Sequence, residues 1–240
     1  MDFNLNGNNR HIVVDCDEVL VNISPIIVGL MHHKDSGNYD YFNKYFRLST
    51  DPDYSVNDNE ERILNRPVFH LDNWLIRKDI ISEVGEEEYN EAVDRLVNDL
   101  IFHPNLYDEL IPTKMGKALS DLARTDMVDR ISVVTRTSEL NLSSKERFLK
   151  ILFQGSMHKV DIYYVEPDEK KSDVISGLKD DIACYIEDEI SNIEEVVEKC
   201  DNVKDMIILV PSFGYNANIS EELIKNCKDK NIDIRTYYYK

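Results

Sequence analysis

Cations are scarce in this 240-residue chain: 28 Lys+Arg stand against 46 Asp+Glu, a formal net charge of −18. Tracking a phosphate backbone needs clustered cations, so the balance argues against broad polynucleotide binding. Any anionic ligand has to be met by a few local cations or by a metal ion. No apolar run reaches the ~20 residues that a membrane-spanning helix needs. Residues 1–10 are polar and Asn-rich, where a secretory signal would carry an apolar centre. The expectation is a cytoplasmic protein with no membrane partner. The four cysteines (Cys16, Cys184, Cys200, Cys227) contain no Cys-x-x-Cys pair and read as structural thiols of a reducing compartment. His32, His33, His70 and His103 have no zinc-like set of partners and read as surface or packing residues. Repeats and low-complexity segments are also missing. What remains is a hydrophobic fraction of 42%, enough for one large domain or for a core with a smaller insert.

The stretch that organises the chain is His11-Ile-Val-Val-Asp15-Cys-Asp17-Glu-Val-Leu20. Three apolar β-formers in a row predict a strand buried on both faces, the kind found in a parallel sheet. They run into two aspartates one residue apart, which would point the same way if the strand continued through them. Carboxylates at such range repel unless they share a cation or a proton. Strand ends of open α/β sheets are also where ligand chemistry collects. The plain alternative is a strand closed by an Asx turn.

Residues 22–111 read as mostly helical with polar breaks. A helix is expected over 23–31, with Ser24-Pro25 as cap and first-turn proline. Tyr39 to Phe46 carries aromatics at helical offsets, 50–59 reads as loop, and 71–84 and 87–102 read as amphipathic helices broken near Gly85. The Gly85-Glu-Glu-Glu run suits a helix N-terminus, where the dipole favours acids. From Pro112 onward the rhythm changes. Strands over 131–135, 161–165, 182–186, 206–210 and 232–239 alternate with helices over 115–123, 143–153, 172–178, 191–199 and 220–227. Ser143-x-x-Glu146 reads as a capping box for the second of these helices. The alternation predicts a Rossmann-like, doubly wound parallel sheet. Its two parts, 1–22 and 113–240, would be split by an inserted helical cap over 23–112.

In a parallel sheet the C-terminal strand ends share one edge, so Asp15, Asp17, Thr135 and Glu187-Asp188 can converge there, with Lys170-Lys171 arriving ahead of the 182–186 strand. An aspartate nucleophile, a second acid, a hydroxyl, an ammonium and a further acidic pair make up a phosphoryl-transfer set. This ordered set resembles the haloacid dehalogenase superfamily of phosphatases. The first motif, Asp-x-Asp-x-(Thr/Val), is met by Asp15, Asp17 and Val19, and the second by Thr135. The third is met by Lys171, preferred over Lys170 because Lys-Ser-Asp-Val-Ile matches the spacing to the next helix, and the fourth by Glu187-Asp188. Within the superfamily the chain is most similar to the 5'(3')-deoxyribonucleotidases. It shares Asp15-Cys-Asp17-Glu18-Val19-Leu20, a helical cap of C1 type directly after that motif, the return stretch Pro104-Asn-Leu-Tyr107, and Asn216 after the 206–210 strand. Glu18 stands where the superfamily most often has Gly, and Glu187 where Asp or Gly is usual.

The resemblance implies an Mg²⁺-dependent phosphatase of small phosphomonoesters, most of all nucleoside or deoxynucleoside monophosphates. Asp15 would form an aspartyl-phosphate and Asp17 would serve as general acid and then base. Thr135, the Arg136 backbone N–H and Lys171 would hold the phosphate. Asp15, Asp188, the Asp17 carbonyl and Glu187 form the candidate metal shell. The aromatic stripe of Tyr41, Phe42, Tyr45 and Phe46 could stack a nucleobase, although such stripes more often pack their own small core. Two alternatives stay open: a polynucleotide-end phosphatase, and a catalytically silent member of the fold used as a structural or interaction module.

Overall fold

The computed structural model describes residues 10–23, 26–27, 39–45, 54–56, 62–64, 78–211 and 219–237; for 39, 42–43, 54–56, 62–64 and 78–80 it describes the backbone alone. Six parallel strands form the central sheet: β1 (His11–Val14), β4 (Arg130–Arg136), β5 (Val160–Val165), β6 (Cys184–Ile186), β7 (Ile207–Pro211) and β8 (Asp233–Tyr237). Their spatial order is β5-β4-β1-β6-β7-β8. The chain therefore leaves β1 for one flank, returns, and completes the other flank. That reversal beside β1 is the topological switch point, where doubly wound sheets open a crevice at their strand ends. The fold is the expected α/β, doubly wound parallel sheet.

β1 shows why Ile12, Val13 and Val14 follow one another with no polar residue between them. Val13 packs into one apolar cluster, with Val134, Ile175, Tyr185 and Ile193. Ile12 and Val14 face the opposite cluster, with Ile131, Val133, Leu119 and Phe148. Helices α4 (Lys114–Ala123) and α5 (Leu142–Leu152) cover that second face, while α6 (Lys171–Ser176), α7 (Ile190–Lys199) and α8 (Glu221–Asp229) cover the first. Burial on both faces is what distinguishes such a strand from the alternating strands of half-exposed sheets. All four cysteines are free and buried.

The segment between β1 and α4 carries the helices α1 (Tyr39–Tyr45), α2 (Lys78–Val84) and α3 (Glu86–Leu96), the last running into a π-turn over Val97–Ile101. It also carries an antiparallel pair, β2 (Tyr54–Val56) and β3 (Arg62–Leu64), and β2 falls within 50–59, expected as loop from its Asp, Asn and Pro content. The expected cap over 24–25 and most of the 23–31 helix lie outside the described residues, as do His32, His33, His70 and Asn216. Glu86, Glu87 and Glu88 do open α3, with Gly85 at φ 90°. Among the described residues no helix is long and apolar enough to cross a membrane.

The two chain crossings between this segment and the sheet run side by side. Val21 bridges Pro112, and the Thr113 N–H donates to the Leu20 carbonyl at 2.9 Å. Thr113 then caps α4, its hydroxyl donating to the Val19 carbonyl and accepting from the Gly116 N–H. The proposed capping box at Ser143 is not one. Helix α5 starts a residue earlier at Leu142, so Ser143 already lies in its first turn. Asn141 instead uses its side chain on the preceding loop, accepting from the Ser138 N–H and from the Thr137 hydroxyl.

Candidate active site

Asp15 follows β1 directly and stays in the ladder, its N–H donating to the Ile186 carbonyl at 2.9 Å. The chain then turns. Glu18 adopts φ 58°, a left-handed conformation that disfavours side chains, and its buried carboxylate accepts from the Ile23 N–H at 3.0 Å. A glycine would take that conformation freely. Here a side-chain hydrogen bond across the turn stabilises it instead.

Around this turn the strand ends gather charge. Lys171, the first residue of α6, sits 2.8 Å from Asp15 Oδ1 and 2.8 Å from Glu187 Oε2, with all three groups buried. Lys170, one residue earlier, is exposed and pairs with Glu195. Of the two candidate lysines, Lys171 is the one beside Asp15. Carboxylate atoms of Asp15, Glu187 and Asp188 lie within 4.8 Å of one another, close enough to hold a metal ion. Burial raises the Asp15 carboxyl above its ordinary value, opposed by the Lys171 ammonium and reinforced by Glu187. Burial works against the Lys171 ammonium too, but Asp15 and Glu187 outweigh it and keep the lysine a cation.

Thr135, fully buried near the end of β4, lies beside a cation that the motif reading did not include. Lys145 of α5 is 1% exposed, and its Nζ donates to Asp17 Oδ2 at 2.8 Å and to Thr135 Oγ1 at 3.1 Å, and also to the Arg136 carbonyl. It stands 4.9 Å over the Tyr107 ring. The Tyr107 hydroxyl donates to the other Asp17 oxygen at 2.7 Å. Burial, then the Asp17 charge, pushes that phenol well above its usual value, so it remains a donor. Asp17 is thus gripped on both oxygens, by a lysine from α5 and by a tyrosine from the return stretch.

A signal for Lys145 was in the sequence. Ser144, Lys145, Phe148, Leu149 and Leu152 are all buried, a helical stripe with one lysine inside it. A cation in an apolar stripe needs a partner, and Asp17 is that partner. Arg136 ends β4 with an exposed guanidinium 3.5 Å from Asn192 Oδ1. Tyr45 is not on an open stacking face. It is 5% exposed within the apolar cluster, its ring 5.0 Å from that of Tyr41, and its hydroxyl donates to Glu88 at 2.6 Å. Packing against α3 is the physical reason, as the ordinary fate of such stripes would suggest. The Phe42 side chain and Phe46 lie outside the described residues.

Fold and site together define a doubly wound α/β protein with a carboxylate–lysine cluster at its topological switch. No family model and no curated protein matches the chain. Among solved structures it is similar to a haloacid dehalogenase-like hydrolase from Burkholderia xenovorans LB400, with TM-score 0.46 and 10% identity over 95% of both chains. It is also similar to a dehalogenase (TM-score 0.42, 11% identity, 96% of this chain and 93% of that one). A third is the L-2-haloacid dehalogenase from Xanthobacter autotrophicus (TM-score 0.42, 12% identity, 90% and 81%). These are distant likenesses, so the chemistry has to be read from the site's own residues.

Proposed function

We propose that this chain is a divalent-metal-dependent phosphatase of the haloacid dehalogenase superfamily that hydrolyses small phosphomonoesters through a covalent intermediate on Asp15. The observation that carries the reading is the balance of charge around Asp15. Four acids (Asp15, Asp17, Glu187, Asp188) converge with two ammoniums (Lys145, Lys171). Two negative charges are left over, which one divalent cation would neutralise. The donors are hard oxygens, which suits Mg²⁺. Asp15 and Asp188 would hold it, with the Asp17 carbonyl that the motif resemblance adds. When bound, Mg²⁺ would supply charge neutralisation and polarisation of the phosphoryl oxygens.

The chain's own residues account for the remaining steps. Thr135 and Lys145, already hydrogen-bonded to each other, offer two donors to phosphate oxygens, and Lys171 offers a third at the nucleophile. As the ester enters, Asp17 takes up a proton from solvent; a carboxylate oxygen of Asp15 attacks phosphorus, the ester P–O bond breaks, and the leaving alkoxide takes that proton from Asp17. Asp17 then removes a proton from water, the water oxygen attacks phosphorus, and the P–O bond to Asp15 breaks to release inorganic phosphate. Lys145 and Tyr107 fix the Asp17 carboxylate for both proton transfers. The segment over 23–112 would act as a cap that restricts access to small esters. Nucleoside or deoxynucleoside monophosphates are the proposed class, supported by the Asp15-Cys-Asp17-Glu18-Val19-Leu20 motif.

Halide displacement from a 2-haloacid would use Asp15 as nucleophile and Asp17 as base toward water, but a halide leaves without a proton and needs no metal, so Asp188 would have no task. The test is a panel: nucleoside and deoxynucleoside monophosphates, glycerol phosphate and hexose phosphates assayed for phosphate release with and without Mg²⁺, and 2-chloropropionate for chloride release. Phosphate release that needs Mg²⁺ and favours nucleotides is expected. Chloride release without phosphate release would overturn the reading, and equal rates on all the esters would remove its nucleotide part.

A further inference from the structure

Of the three acids that approach one another closely enough for a metal, Glu187 differs in what already surrounds it. Its Oε2 accepts from Lys171 Nζ at 2.8 Å and from the Tyr185 hydroxyl at 2.9 Å. Its Oε1 accepts from the Glu189 N–H at 3.2 Å and from Asn192 Nδ2 at 3.3 Å. A carboxylate has about four lone-pair positions, and four donors meet them here. Glu187 is 0% exposed, so a donor displaced by a metal would have no water to turn to. The donors are also built in from separate places. Tyr185 lies two residues earlier on β6 and so faces the same side, and Asn192 lies in the first turn of α7. Burial, and then the Glu187 charge, pushes the Tyr185 phenol well above its usual value, so it stays a donor.

We infer that Glu187 is a positioning residue and not a metal ligand: its fully occupied carboxylate holds the Lys171 ammonium against Asp15 and leaves the divalent cation to Asp15 and Asp188. The inference rests on the metal-dependent reading above. It accounts for an acid longer than the usual Asp or Gly at this point. The extra methylene lets one carboxylate reach Lys171 and Tyr185 with one oxygen, and the start of α7 with the other. Lys171 is then held between two carboxylates at equal distance, so its charge stays at the nucleophile when Asp15 turns to another partner.

Crystals of the wild-type protein soaked in Mn²⁺ test this directly through anomalous scattering. Manganese should bind carboxylate oxygens of Asp15 and Asp188, with both Glu187 oxygens outside bonding distance and Lys171 still on Glu187. A Glu187 oxygen bonded to the metal overturns the inference alone. Manganese absent from the cluster overturns it together with the metal-dependent reading. Calorimetry with Mg²⁺ adds a solution measurement: Asp188→Asn should weaken binding at least about tenfold more than Glu187→Gln. Equal weakening would mean that Glu187 is a ligand. In turnover, Glu187→Gln should lower kcat at least about tenfold with KM little changed, and Glu187→Asp, which keeps the charge, should recover part of it. Equal kcat for Glu187→Gln and wild type would remove the positioning role. If no ester is turned over, the diffraction and calorimetry still decide the metal question, so the two failures can be told apart.

Discussion

Replacing Gly116 by alanine puts a methyl group where the chain has no room for one. A Cβ at this position of α4 would lie 2.5 Å from the Leu20 carbonyl oxygen and 3.3 Å from the Leu20 carbonyl carbon and Cα. These are backbone atoms that cannot rotate aside. The same carbonyl accepts the Thr113 N–H at 2.9 Å, and the Leu20 N–H donates to the Cys16 carbonyl at 2.7 Å. Any shift of Leu20 therefore strains both the crossing into the inserted segment and the turn that carries Asp17. Alanine gains about 1 kcal/mol over glycine in a helix interior, while overpacking of a rigid site costs about 1–3 kcal/mol and sometimes more. A contact of 2.5 Å with a backbone oxygen belongs at the upper end of that cost, so the net loss should be about 2 kcal/mol, which lowers Tm by about 4–8 °C in a domain of this size. Gly177 is the matched control. It has φ −79°, and an added Cβ would meet the Val174 carbonyl oxygen at 3.4 Å, an ordinary contact. Gly177→Ala should leave stability unchanged or raise it by up to about 1 kcal/mol. Thermal melts by circular dichroism decide it. A Gly116→Ala protein as stable as the wild type would refute the close packing of α4 on Leu20.

Lys145→Met should cost roughly 10–100-fold in kcat/KM, since a charged hydrogen bond is worth about 1.5–3 kcal/mol. A loss below threefold in steady-state assays would remove Lys145 from the phosphate site. Saturating Mg²⁺ should raise Tm by mass action, by an amount equivalent to about 2.7 kcal/mol at a hundred times Kd; no shift in a fluorimetric melt would count against a metal on Asp15 and Asp188. Burial pushes the Cys184 thiol up to about 12 and the Cys200 thiol up to about 11, from 9.0. Folded values above the unfolded one mean that their contribution to stability is complete below about pH 9 and is lost as pH rises through the folded values. Tm should therefore decline between pH 9 and 12, and Cys184→Ala should flatten that decline; parallel curves for variant and wild type would contradict the linkage.

How much of this was legible beforehand differs between sheet and site. The apolar run of β1, burying Ile12 and Val14 on one face and Val13 on the other, points to a central parallel strand because its β-branched residues suit a strand hidden on both faces. Asp15, Thr135, Lys171 and Asp188 could be read as strand-end or helix-start residues, because order along the chain and sheet geometry suffice to bring them to one edge. Lys145 and Tyr107 could not be reached that way. Their roles come from how α5 and the return stretch pack over Asp17, a contact 128 residues apart in the case of the lysine. The same limit hid the state of Glu187. Its type and position marked it as a metal candidate, whereas its four donors come from β6, α6, the β6–α7 turn and α7, visible only once assembled. The β2–β3 pair is harder to read because each strand is only three residues long, Tyr-Ser-Val and Arg-Ile-Leu, too short to set up an alternating pattern.

The central claim is that Asp15 is a nucleophile toward phosphorus. Phosphate release from a nucleoside monophosphate with Mg²⁺, measured side by side for wild type and Asp15→Asn, tests it most directly. The account predicts multiple turnovers for the wild type. It predicts no turnover above background for the variant, whose circular dichroism spectrum should match the wild type because the amide occupies the same space. An Asp15→Asn protein that still releases phosphate at a comparable rate would contradict it.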